Sequence, residues 1–286
     1  MSVLEQMKQR ILATGEPVFR LVAWEDGKFT QEDLRPNYPC LLCYSISKNF
    51  TATAIGLAED KGLLKVSDPI LKYFPEYADR VGERMHRVTV EHLLNQRMGI
   101  ESGFLFENDK YSHNSDDWLE LIFSRPLEHE PGEKFAYSNS TIYLLGHIVR
   151  RATGLGMDEF LRLHLFRPLG IREFMWERCP KGEIFGATGL YLSTMDMAKL
   201  GVLYAQNGVW EGRRILSEDW MTRATTFPEG WQYNYTFWKN DLGYHGGGAR
   251  GQVLIIVPRR KLVFAAHAYL DDLDYPKLLQ ACLEEQ

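Results

Sequence analysis

The chain has 286 residues, 45% of them apolar and 25% charged, with a formal net charge of −5. That is the composition of a soluble globular protein of one large or two small domains, long enough to bury a core without disulfides or metals. The acidic balance argues against a general nucleic-acid binder, and no apolar run reaches the roughly 18 residues of a membrane-spanning helix.

The opening MSVLEQMKQRILATGEP reads as a short amphipathic helix. Glu5, Lys8, Gln9 and Arg10 stand where a secretory signal would be apolar, so a chain that starts here is expected in the cytoplasm. Residues 18–34 alternate as a hairpin with Asp26-Gly27 at its turn. Residues 45–61 have helical spacing, broken only by Gly56, and the chain reads as mostly helical from there to about residue 185. Helix starts are expected at Ser67-Asp68-Pro69, Thr89, Asp116 and Ser138, and stops at Pro75, Gly99 and Gly154. Residues 193–208 read as another helix. Strand-like runs follow: the aromatic-rich residues 231–238, LGYHGGG, a turn at Ala249-Arg250-Gly251, then QVLIIV and KLVFAAHAYL. Residues 275–285 close the chain as a helix. The expected class is α+β: an antiparallel sheet flanked by helices and built from both chain ends (residues 1–50 and 190–286), with a mostly helical domain inserted at 51–189.

Cys40 and Cys43 form a lone CxxC, with neither a thioredoxin-like βαβ context nor a second pair of zinc ligands. With Cys179 and Cys282 they are read as free thiols in a packed core. Residues 246–251 fit GxGxxG, but β-branched QVLIIV follows where a dinucleotide site needs a helix. There is no GxSxG elbow, HExxH helix or Walker loop.

Three short motifs carry chemistry. Ser45-Ile46-Ser47-Lys48 fits SxxK at the start of a helical stretch, where three residues are nearly one turn and put Lys48 on the same face as Ser45. A serine hydroxyl needs a neighbouring base, and a lysine serves when burial and a helix N-terminus lower its pKa. The plainer alternative is that Ser45 or Ser47 caps the helix and Lys48 is solvated. Tyr137-Ser138-Asn139 precedes an apolar helix. Ser138 or Asn139 is a natural cap, or else the Tyr137 hydroxyl shuttles a proton and the Asn139 amide donates a hydrogen bond. His245-Gly246-Gly247-Gly248 is either a glycine hairpin with an exposed histidine or a strand edge bared for a substrate backbone, with His245 as its polar head.

In this order the three motifs resemble the serine β-lactamase and penicillin-binding protein superfamily, with YSN and HGG in place of SDN and KTG. Those variants resemble the class C β-lactamase branch, which also holds D-alanyl-D-alanine carboxypeptidases, esterases and a nylon-oligomer hydrolase. FAYSNSTIYLLGHIVRRATG, RPLGIREFMW and GLYLSTMDMAKLGVLYAQNGVWEGRRILSEDW extend the resemblance, which runs from about residue 18 onward. The chain departs from it in LLNQRMGI, where the family often carries an LLTHTSG-like stretch. Its loops are short for the branch, and the glutamate base of class A enzymes has no matching motif.

The resemblance implies a serine hydrolase. Ser45 is the nucleophile, and Lys48 with Tyr137 handles its proton. The backbone N–H groups of Ser45 and Gly248 form an oxyanion hole. Asn139 orients the substrate or Lys48, His245 binds an acidic group or tunes Tyr137, Gly247 admits the substrate, and Arg250 clamps a carboxylate. No metal or cofactor is implied, and the partner is a small ester, amide or β-lactam. An esterase or amidase is expected ahead of a β-lactamase or D-alanyl-D-alanine carboxypeptidase, with Trp231, Tyr233, Tyr235, Phe237 and Trp238 lining an apolar acyl pocket or, alternatively, filling the sheet core. A non-catalytic binding module on the same fold is the reading from another class.

Overall fold

The computed structural model describes residues 1–106, 108–110, 112–113, 115–270 and 272–285. The chain clusters into a sheet unit of Met1–Ile46, Phe166–Met175 and Leu190–Gln286, and a helical unit of Ser47–Leu165 and Trp176–Gly189. The longer helices are α1 (Val3–Thr14), α2 (Ser47–Asp60), α3 (Asn139–Thr153), α4 (Thr194–Ala205) and α5 (Tyr275–Glu284).

In the sheet unit, strands β1 (Val18–Glu25), β2 (Lys28–Asp33), β3 (Tyr233–Asn234), β4 (Phe237–Asn240), β5 (Gly243–Gly248), β6 (Gln252–Val257) and β7 (Leu262–Ala268) form one antiparallel sheet. Their order is β2-β1-β7-β6-β5-β4-β3, so both chain ends build it. The first hairpin closes as expected: Glu25 faces Lys28, and Asp26 and Gly27 both take positive φ, the two-residue turn that matches strand twist. Every residue of β6 and β7 is buried, because helices cover both faces and the strands read as continuous apolar runs. Val253, Ile255 and Val257 share a core with Val3, Met7 and Ile11 of α1 and Leu279 of α5. On the opposite face, Leu254, Ile256 and Val263 lie against Gly201 of α4.

The helical unit packs α2 beside α3. Residues Ser47 to Ala58 of α2 are all buried, polar ones included. Ser138 caps α3 through its Oγ, which accepts the Ser140 N–H, and Gly154 ends it in the left-handed conformation. The chain between α2 and α3 is less helical than its periodicity suggests: it holds short helices at Val90–Leu94 and Trp118–Phe123 and single 3₁₀ turns. Pro75 opens such a turn, Pro75–Arg80, instead of ending a helix. Gly62, Pro69, Pro75 and Gly82 interrupt the first part of this stretch before an α-helix can extend. The four cysteines are free thiols, and Cys40 is only partly buried. Among the described residues no helix is long and apolar enough to cross a membrane.

Buried histidines make both units sensitive to acid. His267 on β7 is fully buried, its Nδ1 2.8 Å from Thr194 Oγ1 and its Nε2 3.6 Å from Cys43 Sγ. Loss of hydration pushes it down to about 3, and His147 of α3 to about 4. Below the ordinary value of 6.5 the unfolded chain takes up protons that the native state refuses, so stability falls as pH drops. The denaturant midpoint should decline from about pH 6.5 to 4, and His267→Asn should flatten that slope.

Candidate active site

Ser45 sits where the chain leaves the sheet unit. Cys43 N–H donates to the Leu190 carbonyl at 2.8 Å, and the chain then bends through a 3₁₀ turn, Tyr44–Ile46, closed by Ile46 N–H on the Cys43 carbonyl at 3.1 Å. Tyr44 takes φ +46°, a left-handed conformation that costs a tyrosine energy. Ser45 is partly buried in this turn, two residues before α2 begins, near the partial positive charge of a helix N-terminus.

Gly248, the last residue of β5, meets the same turn. A Cβ there would lie 2.5 Å from the Cys43 carbonyl oxygen. The strand can approach the Ser45 turn only because this position is glycine. Gly248 therefore answers to the protein's own backbone, whereas the sequence suggested room for a substrate. Ser45 and Gly248, the two expected oxyanion donors, are thus carried on adjoining segments of the sheet unit.

Register places His245 opposite Ile255 and Gly247 opposite Val253, on the face that packs with α1 and α5. Both line a cavity of about 950 Å³ in the sheet unit, together with Gly248, Arg250 and the start of α5. His245 Nδ1 lies 3.1 Å from Asn240 Nδ2, and burial lowers the imidazole to about 4. It is neutral near pH 7, a hydrogen-bonding head instead of a cation. Arg250 is exposed at the turn with φ +59°, its guanidinium 5.4 Å from the Tyr269 ring. The aromatic run does not line this cavity. Tyr233, Tyr235 and Phe237 are buried, with Tyr235 against Trp220 and Phe237 against Tyr204 and Tyr244. These three fill the core, the alternative noted from the sequence.

In the helical unit the structure joins Lys48 to Tyr137. The Lys48 side chain is 1% exposed, and its Nζ lies 5.0 Å from the centre of the Tyr137 ring. The ammonium donates to the Ala187 carbonyl at 2.7 Å. Burial lowers Lys48 from 10.5 to about 7, so much of it is a free amine at neutral pH. The Tyr137 ring also lies nearly parallel to Phe106, with centroids 6.5 Å apart. Asn139, the first residue of α3, donates its amide to the Leu105 carbonyl at 2.9 Å, while its buried Oδ1 has no hydrogen-bond partner. One of its two amide hydrogens is thus used within the fold. The Ala187 carbonyl escaped the sequence reading, since a backbone acceptor 139 residues from its donor leaves no local pattern.

A family model described as Beta-lactamase matches residues 13–274. An Escherichia coli (strain K12) protein named "Putative D-alanyl-D-alanine carboxypeptidase" is 30% identical over 179 residues, which cover 57% of this chain and 40% of that protein. The chain thus spans about 40% of the length of the curated relatives it matches. A "Putative 6-aminohexanoate-dimer hydrolase from Bacillus anthracis" superposes with a TM-score of 0.83 at 17% identity, over 96% of this chain and 80% of its own. A class C beta lactamase from Rhodobacter sphaeroides gives 0.75 at 17% identity, over 99% and 98%. The two solved structures establish a shared fold.

The contact between Gly248 and the Cys43 carbonyl can be tested directly. Gly248→Val sets a side chain against backbone that cannot swing away, and should cost about 1–3 kcal/mol. Urea unfolding monitored by tryptophan fluorescence checks it, with wild-type stability as the contrary result.

Proposed function

Because the chain belongs to the β-lactamase family, we propose that it is a serine hydrolase that works through an acyl-enzyme on a small ester or amide. The observation that carries this reading is Lys48: a buried amine with its pKa near 7, beside a tyrosine and three residues after a serine. Ser45 Oγ attacks the carbonyl while its proton passes to the Lys48 amine, directly or through the Tyr137 oxygen. The oxyanion that forms is met by the N–H groups of Ser45 and Gly248. Collapse breaks the bond to the leaving alcohol or amine, which takes the proton. Water then attacks the acyl-serine along the same proton path and regenerates Ser45.

The reading takes a polar substrate on two grounds: Gly247 and Gly248 border a cavity edged by Lys239, Asp241, Arg250, Asp272 and Lys277, although Ser45, Lys48 and Tyr137 do not line it, and the aromatic side chains expected to hold an apolar acyl chain lie mainly in the core. Arg250 and neutral His245 are placed in this reading as contacts for a substrate carboxylate or amide. The D-alanyl-D-alanine carboxypeptidase name of the E. coli relative supports a peptide-like amide as the second reading. A binding module without catalysis is the outcome if Ser45 proves unreactive.

Three measurements test the proposal. A fluorophosphonate should add to Ser45 as read by intact mass, and p-nitrophenyl acetate or nitrocefin should be turned over. Ser45→Ala should abolish both while leaving the circular dichroism spectrum intact. Lys48→Ala and Tyr137→Phe should each lower kcat by about a hundredfold or more, with the double mutant little worse than the poorer single. Additive losses would separate the two residues. Since the amine is the base, kcat/KM should rise with pH through about 7 as Lys48 loses its proton. A flat profile there would remove Lys48 from the proton path.

A further inference from the structure

Residues 186–189 run past α2 as a strap, and each of their carbonyls accepts a hydrogen bond. Gly186 accepts from Thr51 Oγ1 at 2.9 Å, Ala187 from Lys48 Nζ at 2.7 Å, Thr188 from Trp176 Nε1 at 2.9 Å and Gly189 from Glu177 N–H at 2.9 Å. Glu177 also takes the Phe185 N–H on its own carbonyl at 3.0 Å, so its backbone brackets the strap from both ends. Gly189 has φ +83°, and a Cβ there would fall 2.3 Å from Glu177 Cβ. The two backbones touch.

Lys110 completes the arrangement. Its side chain is 2% exposed, and its Nζ meets Glu177 Oε1 at 2.6 Å and lies 5.5 Å from the centre of the Phe185 ring. A buried ammonium without its carboxylate is strongly unfavourable, so this pair holds Lys110 and Glu177 together. We propose that the Lys110–Glu177 ion pair is a positioning device: it locks the strap whose Ala187 carbonyl holds the Lys48 amine. The inference rests on the reading above, in which that amine handles the Ser45 proton. Neither Lys110 nor Glu177 contacts the reacting atoms in this scheme. They act through Glu177's backbone, the strap and one carbonyl.

The size of the effect follows from geometry, since displacement of a catalytic group by about 1 Å costs up to about a hundredfold in rate. Glu177→Gln, Lys110→Met and the double variant are made in the full chain. For each, the rate of fluorophosphonate addition to Ser45, kcat and KM on p-nitrophenyl acetate, and the melting temperature are measured. Glu177→Gln keeps the shape and carries the test if Lys110→Met does not fold. The labelling rate and kcat should drop about tenfold or more in the folded variants. KM should stay within about twofold, and the double variant should be no slower than the slower single. The acid limb of kcat/KM should move upward as water reaches Lys48 and restores its ordinary basicity. Wild-type labelling rates in a folded variant, additive losses, or a lower labelled fraction at an unchanged rate would overturn the proposal. A wild-type protein that takes no label at all would instead overturn the hydrolase reading, and this inference with it.

Discussion

The burial of one ammonium group, on Lys48, constrains its surroundings more than any other interaction in the helical unit. A lysine side chain 1% exposed forfeits hydration worth several kcal/mol, and burial shifts its equilibrium toward the free amine. Its contacts include the Ala187 carbonyl and the face of the Tyr137 ring. A carboxylate in the same place would have raised the pKa and left a permanent cation. The Ala187 carbonyl positions the amine through a neutral acceptor.

The sequence of α2 follows from that demand. Its first turns are buried although they carry Ser47, Lys48, Asn49, Thr51 and Thr53, so the hydroxyls must find partners inside. Thr53 bonds the Asn49 carbonyl one turn back, and Thr51 reaches the Gly186 carbonyl across the unit. Buried polar groups are tolerated when paired. A helix with such a face has little of the ordinary amphipathic pattern and depends on a neighbour that offers carbonyls.

In the sheet unit the corresponding element is rigid backbone. β6 and β7 are covered on both faces, and β5 hangs from β6 with Gly248 seated against the Cys43 carbonyl. Below the Ser45 turn, Cys43, His267 and Thr194 form a buried chain of contacts. In the proposed reading, donors held by such a frame need not reorganise when negative charge develops, usually the largest single contribution to acyl transfer. The cavity beside Gly247 is edged by both signs of charge, Lys239, Arg250 and Lys277 against Asp241 and Asp272.

Much of this was legible locally. The Asp26-Gly27 turn, the Ser138 cap and Gly154 stop of α3, and the paired apolar runs of β6 and β7 follow from short-range sterics and hydrogen bonding, and the chain records such rules within a few residues. SxxK, YSN and HGG named the candidate residues and their order, and the family match bears out the kinship they suggested. Residues 62–137 read as more helical than they are; in their first part, periodicity does not register the breaks at Gly62, Pro69, Pro75 and Gly82. Tertiary structure alone decided why Gly248 is glycine, that Tyr233, Tyr235 and Phe237 fill the core, and that the Ala187 carbonyl holds Lys48. Each of these depends on which backbone or ring the fold brings against a given atom, and a periodic pattern carries no term for a partner such as Ala187, 139 residues from Lys48.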